Sequence, residues 1–211
     1  MAQDLITALA DLEEKEVIRI TQKRLNEGDE AVSILKDARN AMEIVGRRFE
    51  ASEYFIPDLV YAGEILKQVS EMVKPKLRRT DKKLGTLGKV VIGTVAGDIH
   101  DIGKDIVVFM LDVSGFEVFD LGIDTPAQKF VEKIEETKTD IVGLSGFLTL
   151  AFDSMKQTVA AIKTAGLRDK VKIMIGGGQI DERIREYTGA DAYGKDAMAA
   201  VSLAKGWIDR R

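Results

Sequence analysis

At 211 residues, 45% hydrophobic and 31% charged with three prolines, the chain has a globular composition and room for one large or two small domains. A formal net charge of −4 speaks against a nucleic-acid footprint over the whole surface, the lack of cysteine excludes disulfides, thiolate zinc sites and iron–sulfur clusters, and a single histidine excludes sites built on several imidazoles. Neither a basic-then-apolar leader nor an apolar run of about 18 residues occurs, so the chain is expected to be cytoplasmic, with neither membrane nor nucleic acid among its partners.

The first 75 residues carry helical signals only. Apolar residues recur at steps of three and four over 4–9, 17–25, 31–49 and 57–73, for example Val32, Leu35, Ala38, Met42 and Val45. Four helices follow, and an array this short without strand patterns is expected to form an antiparallel bundle over 1–75. Asp11 and Asp29 stand where helix-starting caps are expected. Pro57 suits a first helical turn, because the amide it lacks has no helical partner there. The stretch Glu53-Tyr54-Phe55-Ile56-Pro57 breaks the pattern with two adjacent aromatics, whose simplest reading is a plug for the bundle end. Residues 76–88, basic and glycine-bearing without interleaved aromatics, read as a solvated linker.

From 89 to 211 short apolar runs alternate with helical stretches. Strands are predicted at 89–96, 117–121, 140–145, 171–175 and 190–193, and helices near 103–114, 126–138, 152–165, 180–188 and 196–209. Thr125-Pro126 and Asp181 fit helix starts, and Gly115 and Gly166 follow two helix ends. Five strand–helix units predict an α/β domain: a doubly wound, Rossmann-like sheet of five parallel strands, flavodoxin-type, in the order 2-1-3-4-5. In that order the direction of winding reverses between strands 1 and 3, so a ligand is expected on the loops that follow them.

Three features fall on that edge: Gly97-Asp98-Ile99-His100-Asp101-Ile102-Gly103 after strand 1, Ser145-Gly146-Phe147-Leu148-Thr149 after strand 3, and Gly176-Gly177-Gly178 after strand 4. Each has a plain alternative: a structural Asp98–His100 pair, a serine bonded to its own loop, and a tight strand-to-helix turn. Their convergence favours a ligand site. As a general base, His100 lacks a partner, since there is no cysteine or second histidine and Ser145 is not in a Gly-x-Ser-x-Gly elbow. As a metal ligand, one imidazole cannot hold a free ion, but it can hold an axial position of a metal already caged by a macrocycle. A carboxylate on its other nitrogen would then orient it and raise its basicity.

Asp98-x-His100-x-x-Gly103, then 41 residues to Ser145, and 28 residues between Phe147 and Gly176-Gly177, resembles the cobalamin-binding signature of methionine synthase and of the small corrinoid proteins of anaerobic methyltransferase systems. The Glu-Tyr-Phe-Ile-Pro-Asp-Leu stretch is similar to the helical cap that precedes the cobalamin domain in both. The resemblance implies that His100 displaces the dimethylbenzimidazole base and ligates cobalt from below, that Asp98 holds His100, and that Ile99 and Asp101 belong to the same binding loop. It implies that Gly103 leaves room for the nucleotide tail, that Ser145 hydrogen-bonds the tail, and that Gly176 and Gly177 let the displaced base pass. Phe55 and Leu59 would cover the upper, methyl-bearing face.

Two departures stand out. Phe147 replaces the usual leucine and is expected to pack on the ligand tail. Ala151 replaces the serine that ends the Asp–His relay in methionine synthase, so proton linkage through Asp98 is expected to pass to water or Thr149.

The resemblance implies a methyl-carrying corrinoid subunit, not catalytic alone, with cobalamin (as methylcobalamin) and its cobalt as cofactor. Cobalt(I) would take a methyl group from a methylamine, betaine, methanol or aryl methyl ether and pass it to tetrahydrofolate or coenzyme M. The implied partners are a substrate methyltransferase, a tetrahydrofolate or coenzyme M methyltransferase and a reductive activase. A cobalamin-binding sensor is the alternative, and a mutase subunit a third, although no DNA-binding module or barrel is visible in 211 residues.

Overall fold

The computed structural model describes residues 4–76, 86–178 and 180–209. The chain divides into two compact units, Met1–Gly85 and Thr86–Arg211. Most of the linker expected over 76–88 falls at 77–85, outside the described residues.

The first unit contains α1 (Leu5–Ala10), α2 (Glu14–Glu27), α3 (Ala31–Glu50) and α4 (Ile56–Val73), then a 3₁₀ turn at Lys74–Lys76. Its core is built from apolar stripes at three- and four-residue steps: Ala38, Met42 and Val45 on α3 face inward as expected, with Ile34 buried and Val32 and Leu35 only half-buried, and Leu59, Ala62, Leu66, Val69 and Val73 face inward on α4. Pro57 does lie in the first turn of α4. The caps differ from expectation. Asp4 caps α1, its Oδ1 accepting the Thr7 amide, while Asp11 closes that helix and binds the Arg48 guanidinium at 2.8 Å. Asp29 accepts from Arg24 Nε at 2.6 Å, and α3 begins at Glu30 without a side-chain cap. In both cases an arginine within reach binds the carboxylate as a charged pair and takes it from the helix start. The bundle-plug reading also fails for Phe55, which is 65% exposed as the residue that begins α4. Tyr54 instead donates its hydroxyl to the Ala10 carbonyl at 2.8 Å and accepts from Arg48.

The second unit runs β1 (Lys89–Thr94), α5 (Ile102–Val113), β2 (Glu117–Asp120), α6 (Ala127–Thr137), β3 (Ile141–Ser145), α7 (Ala151–Thr164), β4 (Lys172–Gly176), α8 (Glu182–Thr188), β5 (Ala192–Gly194) and α9 (Ala197–Ile208). All neighbouring strands are parallel, in the order β2-β1-β3-β4-β5. This is the predicted doubly wound sheet, with its switch between β1 and β3. Continuous burial along Val90–Thr94 and Ile141–Leu144 reflects helices on both faces. One core packs Val91, Val142, Leu144, Ile173 and Ile175 of the sheet against Phe130, Met155 and Ile162 of α6 and α7. Asp181 caps α8 by accepting the Ile184 amide, and Gly115 and Gly166 leave α5 and α7 with positive φ.

Strand register sets out the carboxyl edge. Thr94 pairs with Ser145, Ser145 with Gly176 and Gly176 with Gly194, so four strands end in one row. Three of the loops leaving that row carry the motifs.

Candidate functional site

Asp98 sits one turn past the end of β1 and is wholly buried. Its Oδ1 accepts the His100 amide at 2.9 Å and lies 2.7 Å from His100 Nδ1. Its Oδ2 accepts the amides of Phe147 at 2.6 Å and Leu148 at 2.9 Å. Burial alone would push this carboxyl up, but the donors from Leu148, His100 and Phe147 outweigh it and hold it well below the usual carboxylate range. The group is therefore an anion at neutral pH that takes the Nδ1 proton of the imidazole as a hydrogen bond. The nitrogen offered outward is then Nε2, on a side chain 48% exposed. The Phe147 ring lies beside the imidazole, centroids 4.7 Å apart and planes tilted by 31°. The structure sets Phe147, expected on the ligand tail, beside His100, and its backbone amide donates a hydrogen bond to Asp98 Oδ2. Asp98 ends on backbone amides, and Ala151, which replaces the relay serine, is part of the buried core.

Ser145 and Gly176 are adjacent in register, so the serine and glycine motifs meet directly. Gly177 and Gly178 have positive φ, and a Cβ on either would come within 2.6 Å of the Gly146 carbonyl oxygen or 2.7 Å of the Phe147 one. Their requirement is close approach of the β4 loop to the β3 loop, which the tight-turn reading partly anticipated. Gly103 differs: a Cβ there would meet nothing within 4 Å, so the start of α5 faces open space. Asp101 begins α5 without a side-chain cap and is exposed, as is Thr149.

Around the imidazole the carboxyl edge presents exposed apolar side chains: Ile99, Ile102, Ile123, Phe147, Leu148 and Leu150. Large exposed apolar groups clustered on one edge mark a ligand or partner surface. Sequence reasoning named Ile99 and Phe147 and missed the other four. The signal was available, since Phe-Leu-Thr-Leu is an apolar run in a loop, where core packing does not call for one. Also missed was Lys104, one turn beyond His100, whose buried ammonium lies 2.6 Å from both Asp105 and Asp120 carboxylates. In the first unit Phe55 is exposed, whereas Leu59 is 2% exposed and lies on the inward stripe of α4.

This arrangement can supply one oriented imidazole to a metal, but no complete ligand set. Among the described residues, no group of three or more His, Cys, Asp or Glu side chains could hold a metal ion. A metal fits here only if it brings its own equatorial ligands, and a corrinoid does so. The half-exposed imidazole, the apolar rim and the open space at Gly103 accommodate such a ligand. Among the described residues, no helix is long and apolar enough to cross a membrane.

Comparison with known proteins agrees. Residues 88–202 match a B12 binding domain model, and residues 1–74 match a second model described as a B12 binding domain. Trimethylamine corrinoid protein 1 of Methanosarcina acetivorans is 38% identical over 199 residues, 94% of this chain and 92% of that protein. A cobalamin-binding protein from Desulfitobacterium hafniense superposes with a TM-score of 0.82 at 42% identity, covering 97% of this chain and 98% of that one. The methanol:cobalamin methyltransferase complex of Methanosarcina barkeri contains a chain with a TM-score of 0.81 at 25% identity, covering 98% of this chain and 79% of that one. With its cofactor thereby assigned as cobalamin, the chain belongs to the B12-binding family, among the corrinoid proteins of methyltransferase systems.

Proposed function

We propose that this chain is the methyl-carrying subunit of a multi-component methyltransferase, with His100 as the axial ligand to cobalt. When bound, the corrinoid supplies a cobalt centre that takes a methyl group from a donor and yields it to an acceptor. The protein's part is binding and orientation. Asp98 fixes the Nδ1–H tautomer and so keeps the Nε2 lone pair directed outward. Phe147 holds the imidazole from the side, and Ile99 and Asp101 flank it on the binding loop. Gly103 leaves the entry for the nucleotide tail, Ser145 offers the tail a hydroxyl, and Gly176 and Gly177 line its path. Ile102, Ile123, Leu148 and Leu150 extend the apolar seat under the macrocycle. Phe55 covers the outer face. Leu59, buried on α4, supports Phe55 from within the helical unit.

The donor is a methylated amine or methanol, by likeness to proteins whose names carry those substrates. The acceptor is tetrahydrofolate or coenzyme M. Two methyltransferases, one for each half of the transfer, and a reductive activase are the partners, and the setting is cytoplasmic. The observation that carries the reading is the half-exposed imidazole held at 2.7 Å by a buried carboxylate at the switch point of the sheet.

The test is electron paramagnetic resonance of the full chain reconstituted with cobalamin and reduced to cobalt(II). Labelling histidine with nitrogen-15 should change the superhyperfine splitting, and His100→Ala should abolish the nitrogen coupling while retaining part of the cofactor affinity through the tail. Splitting that ignores the label would sink the assignment.

A further inference from the structure

The loop bearing His100 is held on one side by Asp98 and the β3 loop. On its other side lies the connection between β2 and α6, whose residues have no place in the cobalamin signature. Asp124 in that connection has φ of 48°, a left-handed conformation that a residue with a side chain adopts at a cost and aspartate tolerates better than most. From it, Oδ1 accepts the Gly97 amide at 2.7 Å, and the Asp124 amide donates to the Asp98 carbonyl at 2.9 Å. One aspartate thus grips both residues at the start of the loop. Strained backbone beside a functional group is expected where geometry there matters.

The second grip comes one helical turn past His100. Lys104, its side chain 2% exposed, places Nζ 2.6 Å from Asp120 Oδ2 at the end of β2. The other oxygen of Asp120 accepts the Gly122 amide at 2.9 Å, which ties the lysine through one carboxylate to the same connection. Stability alone does not call for lysine here. Replacing a buried ion pair by an apolar side chain of similar volume is often neutral or stabilising, and Lys104 lies seven residues before the buried Leu111 on the inward face of α5. What the ion pair adds is direction. It fixes the first turn of α5 against the end of β2 in one register, at a point where Gly103 has no side chain to be held by.

We propose that the connection between β2 and α6 positions His100, with Asp124 and Lys104 as its positioning residues. Asp124 sets the start of the loop, Lys104 sets its end, and the imidazole between them is held at the height and tilt that an axial ligand requires. This rests on the reading of His100 as the axial ligand. Outer partners of metal-bound histidines typically change affinity by about 10–100-fold when removed, and the effect here should be of that order at its lower end.

The test uses the full chain, reconstituted with cobalamin, reduced to cobalt(II) and labelled with nitrogen-15 histidine. Asp124→Gly accepts the left-handed backbone and keeps the backbone hydrogen bond to the Asp98 carbonyl, so it deletes only the carboxylate. Asp124→Asn keeps an oxygen acceptor and tolerates the same conformation. Lys104→Met deletes the ion pair and leaves Asp120 and Asp105, both partly exposed, to water. The ratio of imidazole-bound to unbound cobalt(II) should fall roughly tenfold in Asp124→Gly and in Lys104→Met, and stay at the wild-type value in Asp124→Asn. Undiminished coupling in both deletion variants overturns the proposal alone. A wild-type chain without histidine coupling overturns the axial-ligand reading and this proposal with it. If Lys104→Met does not fold, the Asp124→Gly and Asp124→Asn pair decides the matter.

Discussion

Two places in the molecule present large exposed apolar side chains beside a turn fixed by polar bonds, and they are braced differently. At the carboxyl edge of the sheet, the brace is a wholly buried carboxylate whose two oxygens accept from four donors, with the imidazole among them. At the start of α4 there is no buried charge. Tyr54 and Arg48 meet at the Ala10 carbonyl, the exposed Phe55 amide donates to Asp58 Oδ2 at 2.8 Å, and Phe55 and Ile56 face outward. Under the proposed roles, an axial ligand at His100 must be held in a fixed direction, which a buried anion provides, whereas a covering side chain at Phe55 needs only to be presented, and a surface turn is sufficient for that.

The sharpest way to break this contrast is Asp98→Asn. The amide can satisfy some of the four donors but must also offer a donor of its own to the amides of Phe147 and Leu148, leaving a buried mismatch. Histidine–cobalt affinity should fall by about 10–100-fold, read from the imidazole-bound fraction of cobalt(II). The pH dependence has a definite sign. The Asp98 carboxyl is depressed in the folded chain relative to about 3.9 when unfolded, so its stabilisation is complete above that value and is lost as pH falls toward the folded value. The stability gap between wild type and Asp98→Asn, from denaturant unfolding of the cofactor-free chain, should therefore narrow between about pH 5 and about pH 3. A constant gap would mean that the carboxylate charge does not brace the loop.

Much of this bracing was legible in the sequence, and the exceptions have physical reasons. Strand order follows from counting five strand–helix units, because parallel strands need right-handed crossovers. The pairing of Asp98 with His100 follows from two residues separated by one in a loop. The caps were misread at Asp11 and Asp29 because cap rules count only the helix that follows: Arg48 reaches Asp11 from 37 residues away, and Arg24, five residues before Asp29, binds it first. The contact of Phe147 with His100 could not be read from the sequence for a similar reason: it goes with a hydrogen bond from the Phe147 amide to Asp98, 49 residues away in the chain. Lys104 reads as an ordinary lysine on a helix until β2 brings Asp120 to it.

A smaller effect tests the other side of the contrast. If Phe55 only covers, its removal should leave histidine coordination and stability alone and change the cofactor's exposure. Phe55→Ala removes a side chain 65% exposed, so cofactor-free stability should change by no more than about 0.5 kcal/mol. Light-driven loss of the methyl group, at matched cofactor occupancy, should be slow in the full chain, faster in Phe55→Ala and fastest in a fragment beginning near Leu84, because a covered radical recombines before it escapes. Equal rates in all three would assign the helical unit another purpose, such as partner docking.

The smallest effect on the cofactor comes from Tyr54→Phe, which deletes the hydroxyl shared between the Ala10 carbonyl and Arg48 while leaving the ring near the guanidinium, 5.3 Å from its centroid. The Ala10 carbonyl keeps its bond from Arg48, so no acceptor is stranded and the net value of the hydroxyl's two hydrogen bonds is at stake. A loss of about 1–3 kcal/mol in denaturant unfolding is expected, with the cobalt(II) spectrum of the loaded chain unchanged. That outcome keeps the two braces energetically independent. A shift in histidine coordination on loss of this one hydroxyl would show that the turn before α4 and the loop after β1 are energetically coupled.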